Sequence, residues 1–312
     1  MSQSQPLRIE NPEFGSFGTC RTINSQLLFV NNPVFEQSVL ANLGKYTEKY
    51  EVEAYAFCIR GNHYHFVSKF PQANRAHFYR DLNARAAESV RRHVPGFLGG
   101  PVLERRYSEQ ALPRDEDIED RFFYAALQAV EEGLCEKPSE YPGYNSFYDA
   151  IAGKERKYKL LNWTAYNKAR AKDPSVSKKE FFETYTLKYK RLPGYEHLSQ
   201  KEYQRLMLEK LEIRRLKLVR SLKRSGHVFM TRKQLLRQKP GSYPRNTKKS
   251  TRYSHRPLVL TTCSEARRMF LEWYFSIYSW YKEACQRYLA GEVGVEFPPG
   301  TYRPSGLCIC PT

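Results

Sequence analysis

Two histidines separated by one residue, His63 and His65, are the side chains of this sequence best suited to chemistry. They follow the apolar run 54–59, which has the composition of a β-strand. Because side chains alternate between the two faces of a strand, we expect both imidazoles on one face and Tyr64 on the other. Neutral imidazoles presented together can bind a divalent metal ion. On its own, such a pair is more often a coincidence than a site.

A second pair, Tyr124 and Gln128, is separated by four residues in a segment with helical periodicity. Residues at this spacing share one face of a helix, so the phenol and the amide should point together. An amide oxygen can bind a hard cation, and two histidines with a glutamine suit Mg²⁺ or Mn²⁺ better than structural zinc. The alternative is that Tyr124 is a core residue beside Phe122 and Phe123.

The elements that would position these residues occur in the order strand, helix, strand, strand, helix, strand, helix. We predict them at 15–30, 35–49, 51–59, 63–70, 75–93, 102–112 and 118–134. The first six form the βαββαβ pattern of a ferredoxin-like α+β fold, with an antiparallel sheet and helices on one face.

The rest of the chain predicts a mainly helical, basic C-terminal domain. Helices are expected at 178–189, 199–224 and 264–289, with a non-periodic stretch at 225–257. We predict one domain at 1–155 and a second at 156–312.

Charge is the unusual feature of the composition. The net charge is +18 over 312 residues, and residues 201–260 hold 18 Lys and Arg against 3 Asp and Glu. Such an excess favours a polyanionic partner, either nucleic acid or an acidic membrane surface. The sequence has no long apolar stretch and no visible signal peptide, and its seven cysteines are scattered. We therefore predict a cytoplasmic protein with free thiols and no membrane association.

From about Gly15 to Ala152 the sequence resembles the REP-associated tyrosine transposases, in the His-hydrophobe-His superfamily of single-tyrosine transposases. The resemblance rests on three motifs, at 62–65, at 124–128 followed by Gly133-Leu134, and at 141–148. The segments 192–199 and 297–301 are similar to the C-terminal extension of some members. Two positions depart from the family. Gln128-Ala129 stands where Asn-Pro is usual, and Arg60-Gly61, expected only to shape a turn, stands where Met-Pro is common.

The resemblance implies a mechanism. His63, His65 and Gln128 would hold one Mg²⁺ or Mn²⁺, and Tyr124 would attack the scissile phosphate of single-stranded DNA. The products would be a 5′-phosphotyrosine link and a free 3′-hydroxyl, and the reverse step would join strands. The implied substrate is a DNA hairpin of repetitive extragenic palindromic (REP) type, in a bacterial, nucleoid-associated setting. Both a monomer and a homodimer remain open.

Several basic residues are candidates for contacts with DNA phosphates. They are Lys69, Arg105, Arg106, Arg245, Lys248, Lys249 and Arg252. A solvated surface is the alternative for each of them. Three other functions remain open: a replication or conjugation nickase with the same site, a catalytically inactive hairpin-binding regulator, and an enzyme that acts on RNA.

Overall fold

The computed structural model describes residues 7–95, 97–244 and 258–304 of the chain. Arg245, Lys248, Lys249 and Arg252, four of the predicted DNA contacts, lie outside the described residues. The strands are β1 (Gly15–Arg21), β2 (Glu53–Ile59), β3 (His63–Lys69), β4 (Ser108–Leu112), β5 (Arg156–Leu161) and β6 (Phe182–Leu187). The longer helices are α1 (Pro33–Lys49), α2 (Arg75–His93), α3 (Asp115–Glu131), α6 (Gln200–Arg224) and α8 (Ser264–Leu289). The shorter ones are α4 (Phe147–Ala152), α5 (Trp163–Arg170) and α7 (Arg232–Leu236).

The first four strands form one antiparallel sheet in the order β2-β3-β1-β4. This order, with α1 after β1 and α2 after β3, is the ferredoxin-like topology, so the predicted α+β fold class is confirmed. In the central pair, Arg21 lies opposite His63 and Gly15 lies opposite Lys69. The two histidines therefore start β3, and Lys69 ends it.

The two faces of β3 serve different purposes. On one face, Tyr64 hydrogen-bonds to Asn83 of α2, and Phe66 stacks on Phe78 of α2 at 5.3 Å between ring centroids. α1 packs beside α2. His63 and His65 point to the opposite face, which α3 covers. This alternation is the one that the strand pattern predicts.

The C-terminal part of the chain shares the core of the sheet. Leu187, Leu192, Tyr203 and Met207 belong to the same hydrophobic cluster as the strands. β5 and β6 form a two-stranded antiparallel sheet that packs on α1, while α6 packs on α3 and α4. The predicted helices at 199–224 and 264–289 correspond to α6 and α8, and the predicted helical C-terminal region is confirmed.

Three local predictions are wrong. The strand predicted at 15–30 ends at Arg21, and the residues that follow it form a 3₁₀ turn at Ile23–Ser25 and irregular backbone. Residues 178–189, predicted as a helix, form a 3₁₀ turn and then β6, because Thr184, Tyr185 and Thr186 pair with β5. The strand predicted at 102–112 is confined to β4, and the preceding residues form a connection in which Arg105 and Arg106 are exposed.

The described part of the chain has two further general properties. None of its helices combines the length and the apolarity needed to cross a lipid bilayer. Its five cysteines, at positions 20, 58, 135, 263 and 285, are free thiols.

Candidate active site

His63 and His65 are buried side by side, and each has its Nδ1 atom engaged by a neighbour. His63 Nδ1 lies 2.6 Å from Asn62 Oδ1, and His65 Nδ1 lies 2.8 Å from Thr19 Oγ1. The Asn62 amide is oriented by its Nδ2 atom, which donates to the Ser25 carbonyl at 3.1 Å. Because Asn62 Oδ1 can only accept, His63 carries its proton on Nδ1 and leaves Nε2 as an acceptor. A threonine hydroxyl can accept the equivalent bond from His65.

The two Nε2 atoms converge on the side chain of Gln128. Gln128 Nε2 lies 2.7 Å from His63 Nε2 and 2.6 Å from His65 Nε2. Glu132 Oε1 lies 3.3 Å from the same nitrogen. Three acceptor atoms therefore compete for the two hydrogens of the Gln128 amide nitrogen.

This donor set fits a divalent cation. The two imidazole Nε2 atoms face one region, and rotation of the Gln128 amide by half a turn directs its oxygen there as well. The arrangement of Nδ1 partners behind the imidazoles is the one found behind metal-binding histidines. Within the described ranges, no three His, Cys, Asp or Glu side chains have metal-binding spacing, so the amide is essential to the fit.

Glu132 is a component that the sequence interpretation missed. Its Oε1 atom lies 3.8 Å from His63 Nε2, and its Oε2 atom pairs with the Arg60 guanidinium at 2.9 Å. Arg60 is buried and lies 3.7 Å from the centre of the Tyr141 ring, so it does more than shape a turn. The signal was present, since 124, 128 and 132 repeat the spacing that places residues on one helix face.

Tyr124 lies on the same face of α3, one turn before Gln128. Its ring is partly buried, 5.8 Å from the His65 ring and 5.5 Å from the Phe17 ring between centroids. The Arg121 guanidinium lies 4.7 Å from the ring centre. The tyrosine thus lies beside a histidine of its own chain, in cis.

Burial sets the protonation of the site. Loss of solvation, followed by the negative charges of Glu131 and Glu132, raises the pKa of Tyr124 to about 12. Burial and the neighbouring His63 hold the pKa of His65 well below its usual value of 6.5. At neutral pH the phenol is therefore protonated, and the His65 imidazole is neutral and able to act as a ligand.

α6 fixes the position of α3. Lys210 of α6 pairs with Glu119 at 2.9 Å, and the Arg214 guanidinium lies 4.1 Å from the centre of the Phe123 ring. At the other end of α3, His227 Nε2 lies 2.8 Å from the carbonyl oxygen of Gly133. The helix that carries Tyr124 is thus held at both ends by the C-terminal part of the chain.

The predicted DNA contacts within the described residues lie at two places. Lys69 is at the far end of β3 from the histidines, about 20 Å along the strand from His63 and about 13 Å from His65. Arg105 and Arg106 follow Glu104, whose backbone N–H donates to the carbonyl of Arg21, the residue opposite His63. The two arginines are therefore near the histidine end of the sheet, whereas Lys69 is not.

Comparison with known proteins finds solved structures of low similarity and no family. No protein-family model matches this sequence, and no curated protein matches it. A structure of a REP-associated tyrosine transposase bound to a REP hairpin aligns with 48% of this chain and 87% of its own, at 16% identity and a TM-score of 0.41. A crystal structure of tRNA(His) guanylyltransferase from Saccharomyces cerevisiae aligns with 48% of this chain and 70% of its own, at 12% identity and a TM-score of 0.33. Similarity at this level carries no information about function.

Proposed function

We propose that the protein cleaves and joins single-stranded DNA through a 5′-phosphotyrosine intermediate on Tyr124, in a reaction that depends on Mg²⁺ or Mn²⁺. The observation that supports this proposal most directly is the convergence of His63 Nε2 and His65 Nε2 on the Gln128 amide, at 2.7 and 2.6 Å, beside a tyrosine. Two imidazole nitrogens, an amide and a phenol are the groups that the proposed chemistry would use.

In the proposed reaction, the Tyr124 hydroxyl loses its proton and its oxygen attacks the scissile phosphorus. A phosphorus–oxygen bond to Tyr124 forms, and the bond from phosphorus to the 3′ oxygen of the preceding nucleotide breaks. That oxygen takes up a proton and leaves as a 3′-hydroxyl. Attack on the phosphotyrosine by another 3′-hydroxyl reverses these steps and joins two strands, without ATP.

His63, His65 and Gln128 would hold the cation. When bound, it would supply Lewis acidity at a phosphate oxygen and positive charge beside the phenol. The protein needs such a charge because burial raises the pKa of Tyr124 to about 12. Arg121, at 4.7 Å from the ring centre, adds a second positive charge that favours the phenolate.

We propose a hairpin-forming, REP-like DNA as the substrate, and a bacterial cytoplasm with nucleoid DNA as the setting. In this proposal residues 1–155 nick and join DNA, while residues 156–312 bind it. The support for the binding role is charge, since residues 201–260 carry 18 Lys and Arg against 3 Asp and Glu. Arg105 and Arg106, near the histidine end of the sheet, are proposed contacts for the strand entering the site.

A catalytically inactive hairpin-binding regulator is the second candidate. Its support is the Gln128 amide, which donates hydrogen bonds to both histidines and so satisfies the pocket without a cation. In this alternative the basic C-terminal residues keep their role and the tyrosine has none.

The test is incubation of the full chain with a panel of labelled single-stranded hairpins, with Mg²⁺, Mn²⁺ or EDTA, followed by a denaturing gel. We expect cleavage with either cation and none with EDTA. Tyr124→Phe should abolish cleavage while a native gel still shows the hairpin shifted. A wild-type protein that shifts hairpins but leaves the whole panel uncut with both cations would favour the regulator.

A further inference from the structure

We infer that Lys157, Lys159, Trp163, Lys178 and Phe182 form a second binding surface, for single-stranded nucleic acid, separate from the candidate active site. We call these five residues the lysine–tryptophan surface. They lie on the β5–β6 sheet, on the first turn of α5 and on the 3₁₀ turn before β6. None of them belongs to the basic stretch at 201–260.

Unpaired positive charge is the first observation. Residues 154–179 carry nine Lys and Arg against two acidic residues. Eight of these nine are exposed, and among the described residues none of the eight forms an ion pair. The exception is Arg156, which pairs with Asp149. Cations without acidic partners are available to phosphate groups, and each phosphate bound releases counterions.

The arrangement of the two-stranded sheet is the second observation. Lys157 lies opposite Thr186, Lys159 opposite Thr184, and Leu161 opposite Phe182. Directly paired residues point to the same face, so Lys157, Lys159 and Phe182 share the outer face. The other face packs on α1, where Gly44 brings the helix within contact of the backbone at Thr186 and Leu187. On the outer face, Lys157 and Lys159 of β5 and Phe182 and Thr184 of β6 are exposed.

Exposed aromatic rings beside the lysines are the third observation. Trp163 and Phe182 are 43% and 46% exposed. The Arg92 guanidinium and the Lys178 ammonium lie 5.3 and 5.4 Å from the centre of the Trp163 ring. Both cations lie over the face of the ring. A base can stack on Trp163 when one of these long side chains swings aside to bind a phosphate that flanks that base.

This combination favours single-stranded nucleic acid over other polyanions. A duplex presents phosphates but no free base faces, so the exposed rings would have no partner there. An acidic membrane would bind an amphipathic helix with a broad apolar face, whereas α5 has eight residues and a polar composition. Flexible single strands satisfy both the rings and the lysines.

The lysine–tryptophan surface and the candidate active site lie on opposite sides of the four-stranded sheet. β5 and β6 pack on α1, which adjoins α2, whereas the histidines face α3. Binding at this surface therefore requires neither a cation nor Tyr124, and its test is independent of the proposed cleavage.

The experiment measures the binding of a fluorescent oligothymidylate to the full-length Tyr124→Phe chain in EDTA, by anisotropy at several salt concentrations. We expect Trp163→Ala to weaken binding about tenfold and Trp163→Phe to retain most of it, because a base stacks on either ring. Trp280→Ala is the matched control, since Trp280 is 42% exposed on α8.

The double variant Lys157→Glu/Lys159→Glu should weaken binding and lower the slope of log K against log salt by about 1.4. The double variant Lys282→Glu/Arg267→Glu on α8 is the control for it, because it makes the same change of charge at another place.

The result that supports the inference is a loss confined to the Trp163→Ala and Lys157/Lys159 variants, with circular dichroism unchanged. An equal loss of affinity in the Lys282→Glu/Arg267→Glu variant would overturn it, because only net charge would then matter. So would a Trp163→Ala variant that binds the oligonucleotide normally. The inference also fails if vesicles of phosphatidylserine, or duplex DNA, respond to the Trp163 change as the single strand does.

Discussion

At the scale of single residues, the candidate site depends on how six side chains share hydrogen bonds. Asn62 and Thr19 engage the Nδ1 atoms of the two histidines, which directs both Nε2 atoms at Gln128. Glu132 supplies negative charge to a group of ligands that is otherwise neutral. A hard divalent cation binds more strongly when a carboxylate is close, so Glu132 should contribute to cation affinity.

Replacing Glu132 tests this contribution. We expect Glu132→Gln to weaken Mn²⁺ binding to the DNA-free protein by about tenfold, because one nearby negative charge is removed. Titration followed by electron paramagnetic resonance of free Mn²⁺ gives the affinity. Glu116→Gln, at the exposed start of α3, is the control and should leave it unchanged. Equal affinities for Glu132→Gln and the wild type would remove Glu132 from the site.

His65 makes the stability of the protein depend on pH. Its pKa in the folded state lies well below 6.5, so in acid the unfolded chain takes up a proton that the folded chain refuses. The stabilising effect is complete above about pH 6.5 and is lost as the pH falls from there towards the folded-state pKa. In EDTA, urea unfolding at pH 7.5 and 5.5 should show a larger loss for the wild type than for His65→Asn. Identical losses would show that His65 is not buried in its neutral form.

At the scale of elements, α3 is the component on which the site depends, because it carries Tyr124 and Gln128 on one face and ends at Glu132. α6 and His227 hold it against the sheet. Gly133, just after α3, has a φ of 73°, and a Cβ there would lie 2.3 Å from His227 Nε2. The end of α3 and the position of His227 are therefore coupled.

The glycine substitution measures this coupling. Gly133→Ala should lower the free energy of unfolding by about 2 kcal/mol, roughly half from the left-handed backbone and half from the lost His227 bond. Gly226→Ala is the matched control, since Gly226 has a φ of 74° and nothing within 4 Å of an added Cβ. It should cost only the backbone part, about 1 kcal/mol. Urea unfolding gives both values, and equal losses would mean that His227 contributes nothing.

The sequence predicted those elements whose local pattern agrees with their final packing. α2 and α8 have the predicted bounds, because apolar residues recur at helical spacing along one side of each. β6 was missed because Phe181, Phe182 and Tyr185 also fit a helix, and only pairing with β5 decides between the two. The role of Arg60 was missed for a similar reason. It meets Glu132 only when the turn after β2 is brought against the end of α3, which no local spacing reveals.

At the scale of the whole molecule, charge and shape act together. The net charge of +18 should attract any nucleic acid, whatever its sequence. The fold then separates two regions, with the candidate active site on the α3 side of the sheet and the lysine–tryptophan surface beyond α1. A strand that occupied both would have to pass around the edge of the sheet.

The salt dependence of binding to a single-stranded oligonucleotide tests the role of this charge. If the Tyr124→Phe chain neutralises about six phosphates in a single strand, its affinity should fall about 300-fold between 50 and 200 mM salt. Anisotropy titrations in EDTA give the slope. A slope near zero would mean that contacts other than phosphate neutralisation dominate, and the proposed binding role of the basic stretch at 201–260 would be wrong.

The most direct measurement is the mass of the protein after incubation with a cleavable hairpin and Mn²⁺, followed by peptide mapping. We expect a covalent adduct of the 5′-phosphorylated product on Tyr124, absent in EDTA and absent in Tyr124→Phe. Cleavage with no adduct, or an adduct that maps to another residue, would contradict the assignment of Tyr124 as the nucleophile.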